Sequence, residues 1–166
     1  MILKKTLPLF LLIGLVIVSL WFWQTESITP APAANFTSIT GKKIELAQLQ
    51  GKPVIITFWA TDCPGCIKEI PHLIELYHQF HPKGLEIIAV AMYYDPPSHV
   101  VAMTKAKQLP YHVALDLKAE HANAFGQVQL TPTTLLISPA GYIVKKNTGE
   151  FDINDMKHRI KKLLQG

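Results

Sequence analysis

The sequence predicts a three-layer α/β sandwich, and three observations carry that expectation. Val54 to Trp59 is apolar on consecutive positions and rich in β-branched residues, as suits a strand covered on both faces, and Leu85 to Met92 reads as a second buried strand. Each is followed by apolar residues at helical spacing. The chain then closes with two short strands around a turn and an amphipathic helix.

The first element is an apolar segment. Leu7 to Trp23 is interrupted only by Ser19, follows Lys4 and Lys5, and closes on Trp21 and Trp23. As a helix it rises ~25 Å against a hydrocarbon core of ~30 Å, and Ile2 and Leu3 lengthen the span. Tryptophans suit a membrane interface, and the lysines hold the N-terminus in the cytoplasm. Residues 1–23 are therefore expected to be a single-pass anchor in the cytoplasmic (inner) membrane, with the domain in the periplasm or an equivalent extracytoplasmic space. A cleaved signal peptide is the competing reading, because Ala31-Pro32-Ala33 resembles a small-residue cleavage site. That triplet lies well past the apolar run, which is itself long for a signal peptide. Residues 24–35, with Pro30 and Pro32, read as a polar, proline-stiffened tether.

Residues 36–166 leave roughly 130 positions for one domain, enough for a single core. Phe36 to Ile39 and Lys43 to Glu45, around Gly41, read as a hairpin. After the strand Val54 to Trp59, the positions Ile67, Ile70, Leu73, Ile74, Leu76, Tyr77 and Phe80 make a helix that Pro82 ends and Pro71 is expected to kink. The strand Leu85 to Met92 follows. A helix over Ser98 to Gln108, a strand over His112 to Leu115 and a short helix over Ala119 to Phe125 come next. Thr133 to Ile137 and Tyr142 to Val144 are strands joined by Ser138-Pro139-Ala140-Gly141. Ile153, Met156, Ile160, Leu163 and Leu164 mark the closing helix. Its cations, Lys157, Arg159, Lys161 and Lys162, account for much of the formal charge of +4. They favour the helix dipole, and no aromatic interleaving or nucleic-acid motif accompanies them, so nucleic acid is not an expected partner.

The chemistry lies in Trp59-Ala60-Thr61-Asp62-Cys63-Pro64-Gly65-Cys66, which holds both cysteines of the chain where a strand gives way to a helix. Two intervening residues put the Cα atoms roughly 5 Å apart by helix geometry, inside the ~4.4–6.8 Å that a disulfide requires. So small a ring restrains the unfolded chain little, which argues against a structural staple. Structural zinc needs four ligands and no further cysteine exists. Covalent haem needs histidine after the second cysteine, where Ile67 stands. His78 and His81, three apart on a helix, face solvent and make a weak metal pair. The motif is a dithiol/disulfide redox centre, with no metal and no cofactor expected. Cys63, at the helix N-terminus, is the attacking thiol, because unpaired N–H groups favour a thiolate there. Cys66, one turn in, is the resolving thiol. Glu69 lies three residues further on the same side, where a carboxyl with a raised pKa could exchange protons with Cys66.

Phe58 to Cys66, the continuation Ile67-Lys68-Glu69-Ile70-Pro71, and Leu130-Thr131-Pro132-Thr133-Thr134 before a strand resemble the membrane-anchored thioredoxin-like oxidoreductases of the TlpA/ResA type. The resemblance covers Phe36 to Leu164. It implies a thioredoxin fold with an N-terminal hairpin and an extra strand–helix insertion between Cys66 and Pro132. It implies a proton-handling role for Glu69, and Thr57 strengthens this because thioredoxins proper carry a buried aspartate at that strand position. Pro132 is similar to the cis-proline that faces the cysteine pair and presents the backbone of Thr131 to a client strand. Trp59 is placed with them, shielding the thiols or packing beneath them. The loop Tyr93-Tyr94-Asp95-Pro96-Pro97 reads as structural more than as part of a client groove. The function implied is reduction of protein disulfides, in cytochrome c maturation or for other periplasmic thiol clients. Electrons would come from a membrane reductase fed by cytoplasmic thioredoxin. The alternative is a non-catalytic binding module or metallochaperone-associated assembly factor.

Overall fold

The computed structural model describes residues 29–165. The expected anchor, residues 1–23, lies outside them. Among the described residues no helix is long and apolar enough to cross a membrane.

The strands are β1 (Thr29–Pro30), β2 (Asn35–Thr37), β3 (Lys43–Glu45), β4 (Val54–Trp59), β5 (Glu86–Ala91), β6 (His112–Leu115), β7 (Thr133–Ile137) and β8 (Tyr142–Thr148). The helices are α1 (Pro64–Phe80), α2 (Pro97–Ala106), α3 (Glu120–Ala124) and α4 (Ile153–Gln165). Six strands form one sheet in the order β1-β8-β7-β4-β5-β6, and β2 and β3 pair by themselves as the expected hairpin. Gly41 turns that hairpin at a φ of +83°, a conformation that side chains disfavour. Strands β4, β5 and β6 run parallel, while β7 and β8 are antiparallel to their neighbours. This is the thioredoxin-like sandwich, and α2 with β6 is the inserted helix–strand unit at one edge.

Alternation along β4 sorts the core into two halves. Ile55 and Trp59 join Leu73, Leu76 and Phe80 of α1 and Met156 and Ile160 of α4 on one side of the sheet. Val54, Ile56 and Phe58 join Phe36, Ile44 and Phe125 on the other. Every residue of β4 is buried, which explains why the sequence there shows an unbroken apolar run and not a period of two.

Two boundaries differ from expectation. The tether over residues 24–35 overlaps the sheet: Thr29 and Pro30 pair with Ile143 and Tyr142, Ala31 N–H donates to Gly141 O at 2.9 Å, and Ala34 is buried. An edge strand tolerates proline, which lacks the N–H a central strand would need. Strand β8 runs on through Lys145, Lys146 and Asn147 to Thr148, held by backbone pairing to β7. Pro71, expected to kink the helix, is exposed and lies inside α1.

Candidate active site

Topology gathers the chemistry at one end of the sheet. Strands β4 and β5 are parallel, so the loops after Trp59 and Ala91 leave from the same end. Strand β7 is antiparallel to β4, so the loop entering Thr133 arrives there, and Thr148 pairs with Thr133 so that β8 exits there too.

Cys63 is the N-cap of α1, with extended backbone (φ −95°, ψ 109°), and its Sγ accepts from the Cys66 N–H at 3.1 Å. Pro64 occupies the first turn, where its missing N–H costs nothing. The cysteines form a disulfide with Cα atoms 5.2 Å apart. Cys63 is half-buried and Cys66 is 2% exposed. A partner can reach only the first sulfur, as the helix-terminus argument expects.

Beneath the pair, Cys66, Glu69, Thr57, Trp59, Leu109 and Tyr111 line a small cavity of about 10 Å³. Glu69 is buried at 2% exposure. Its Oε1 accepts from Phe151 N–H at 2.8 Å, and its Oε2 accepts from Thr134 Oγ1 at 3.4 Å. Thr134 Oγ1 lies 2.9 Å from Thr57 Oγ1. Burial pushes the Glu69 carboxyl up to about 7 from 4.5, the two hydrogen bonds oppose the rise, and nearby Glu150 adds to it. An acid half-ionised near neutral pH is matched to giving and taking protons there. Tyr111, carried in by the inserted α2–β6 unit, is itself driven upward by burial and by Glu69.

The Thr131–Pro132 peptide is cis. Pro132 faces the cysteine loop: a Cβ on Gly65 would stand 3.2 Å from Pro132 Cδ. Glycine therefore lets the two loops meet. Pro132 O accepts from Gly149 N–H at 2.8 Å, tying the loop to the end of β8. Among the described residues the Thr131 N–H and C=O make no backbone hydrogen bond, so both are available to an incoming strand.

Trp59 requires a correction. It is 4% exposed and packed in the core with Cys66, so it supports the thiols from below and takes no part in a client-facing surface. The cause is strand alternation, which points Ile55, Thr57 and Trp59 alike toward α1. His78 is exposed, while His81 Nδ1 lies 2.9 Å from Leu85 O and its ring stacks on Tyr77 at 4.3 Å. The two histidines do not converge, and among the described residues no three metal-ligating side chains do.

Sequence reasoning missed Thr134 and Asp95. Asp95, 4% exposed, accepts from Thr61 N–H and Thr61 Oγ1, both at 2.7 Å, two residues before Cys63. The signal was a carboxylate in the loop leaving β5, next to a threonine in the loop leaving β4. Replacing Asp95 with alanine strands two donors, and hydrogen bonds to a charged acceptor contribute about 1.5–3 kcal/mol each. We expect the Asp95→Ala chain to lose about 3 kcal/mol in urea unfolding; a loss under about 1 kcal/mol would show the strap to be incidental.

A sequence profile of the Redoxin family matches residues 27–164. The chain belongs to the Redoxin family. Thiol-disulfide oxidoreductase ResA of Halalkalibacterium halodurans is 38% identical over 132 residues, covering 77% of this chain and 74% of the relative. ResA of Bacillus subtilis is 36% identical over 161 residues, 93% and 89% of the two chains. Among solved structures, a thiol:disulfide interchange protein of Chlorobium tepidum superposes with a TM-score of 0.75 at 27% identity, covering 82% of this chain and 97% of its own. StoA of Bacillus subtilis does so with a TM-score of 0.66 at 26% identity, covering 78% and 98%. This Redoxin-family member is a thiol–disulfide oxidoreductase of the ResA type, and the non-catalytic alternative falls away.

Within the Redoxin frame the cycle balances without a cofactor. The Cys63 thiolate attacks a client sulfur, and the client's other sulfur leaves and takes a proton. Cys66, losing its proton, then attacks Cys63, which expels the client thiol and closes the 63–66 disulfide. Glu69 lines the same cavity as Cys66 and is positioned to receive that proton.

Proposed function

We propose that this oxidoreductase is a membrane-tethered reductant of protein disulfides on the extracytoplasmic side, serving cytochrome c maturation or related thiol clients. A membrane reductase returns its electrons. The observation that carries the reading is Glu69, a carboxyl held near neutrality beneath a buried resolving thiol. A reductant must deprotonate that thiol in each turnover, and an acid with this affinity can do so at physiological pH. The relatives named ResA support the reaction class. The apolar run behind Lys4 and Lys5 supports the tether. So do the pairing of β1 and the Ala31 hydrogen bond to Gly141, since cleavage after Ala33 would remove both from the fold.

Fractionating cells that express the full chain, then titrating the recovered protein against a redox buffer, tests both halves. The expected result is a membrane-bound protein with a potential near that of thioredoxin, about −270 mV. A soluble mature form beginning near Ala34 would overturn the tether. A potential above about −180 mV, the range of protein disulfide isomerase, would overturn the direction of electron flow.

A further inference from the structure

Six large hydrophobic side chains stand exposed among the described residues: Tyr93, Tyr94, Val101, Leu117, Leu130 and Tyr142. Three of them, Tyr93 (56%), Tyr94 (45%) and Leu130 (67%), sit on the loops that leave β5 and enter β7, at the same end of the sheet as Cys63. We propose that Tyr93, Tyr94 and Leu130 form a specificity rim that binds an extended client segment carrying a large apolar or aromatic side chain beside its reacting cysteine. The proposal rests on the reading that the clients are proteins.

The rim is held, not merely exposed. The Tyr93 and Tyr94 rings meet edge to face with centroids 5.3 Å apart. Tyr94 Oη lies 3.5 Å from Thr131 Oγ1, beside the cis-proline. The next residue, Asp95, grips Thr61 in the loop that precedes Cys63. Adjacent residues of one loop thus contact both the loop before Cys63 and the loop of the cis-proline. Tyrosine gives wide contact area with few rotatable bonds, so little side-chain entropy is lost on binding. Apolar exposure gathered at the end of the sheet that carries the reactive thiol marks an interaction site.

The occupant follows from the surroundings. The free N–H and C=O of Thr131 call for an extended backbone. The charged pair Lys68 and Glu150, 3.4 Å apart, lies at this end too, where Glu150 approaches Gly65. Asp62, exposed beside Cys63, disfavours an acidic neighbour on the client.

The test uses the reduced full-length chain and symmetric disulfide dimers of Gly-Z-Cys-Z-Gly, with Z as phenylalanine, serine or aspartate. Each turnover converts one peptide disulfide to two thiols and closes the 63–66 disulfide. The expected second-order rate with phenylalanine exceeds that with serine by about tenfold, equivalent to ~1.4 kcal/mol, and aspartate is slowest. In the Tyr93→Ser/Tyr94→Ser/Leu130→Ser variant the phenylalanine-to-serine ratio falls to within about twofold of one. Tyr93→Ser alone, which spares the Tyr94–Thr131 contact, gives an intermediate ratio and keeps the test independent of how the triple variant folds. A parent ratio near one, or a ratio unchanged in both variants, overturns the rim. Reduction of small disulfides with no reaction on any peptide would count instead against the protein-client reading.

Discussion

Replacing Glu69 with glutamine stabilises the oxidised protein above neutral pH while slowing its exchange chemistry. The folded-state pKa of Glu69, about 7, lies above the 4.5 of the unfolded chain. Between those values the unfolded chain releases the proton and the folded chain keeps it. Stability therefore falls as pH rises through that window and is flat above it. At 1.36 kcal/mol per unit the full cost is roughly 3 kcal/mol. Glutamine keeps the acceptor for Phe151 N–H and can donate to Thr134 Oγ1, but never ionises. The variant should match the parent at pH 4 and exceed it by about 2–3 kcal/mol at pH 8. Urea titrations of the disulfide form at both pH values measure this, and equal gains at pH 4 and 8 would sink the assignment. Exchange should slow by about a hundredfold or less, the low end of general acid–base help. Its pH–rate profile should also lose the inflection contributed by the coupled carboxyl and thiols. Superimposable profiles would reduce Glu69 to a buried structural acid.

The cysteines should separate completely in role. Cys63→Ser is expected to abolish exchange, because the other thiol, Cys66, is buried. Cys66→Ser should still attack clients and then stall, accumulating mixed disulfides that reducing agent releases. In the reduced parent, iodoacetamide near neutral pH should label Cys63 first, since it alone combines access with the helix N-terminus. Peptide mapping that found Cys66 labelled first would reverse the assignment.

Much of the fold was legible because its signals are local. The strands Val54 to Trp59 and Thr133 to Ile137 lie where β-branched and apolar residues put them, since burial on both faces leaves threonine as their only polar residue. The helix after Cys63 begins where Pro64 and the cysteine cap require. Strand β8 was read short because Lys145, Lys146 and Asn147 carry no apolar pattern; backbone pairing to β7 extends it. Strand β1 was read as tether for a related reason, because a two-residue edge strand containing Pro30 has no periodicity to detect.

The sequence by itself determined the reaction. Two cysteines at a strand–helix junction, with Glu69 one turn beyond, specify dithiol chemistry through local spacing, while the part of Pro132 followed from the family resemblance. Tertiary structure decided the environment that tunes it. Glu69 became a near-neutral acid only because α1 packs it against β7, where Thr134 reaches it, and beneath Phe151 from the approach to α4. Trp59 packs beneath the thiols in the core because the pleat of β4 turns it toward α1. Asp95 became the strap for Thr61 because parallel β4 and β5 release their loops at the same end, and Tyr94 meets Thr131 because β7 enters there. Such contacts join residues 34 to 82 positions apart. Burial and opposition across a groove depend on how strands are ordered in the sheet, and no window of sequence contains that order.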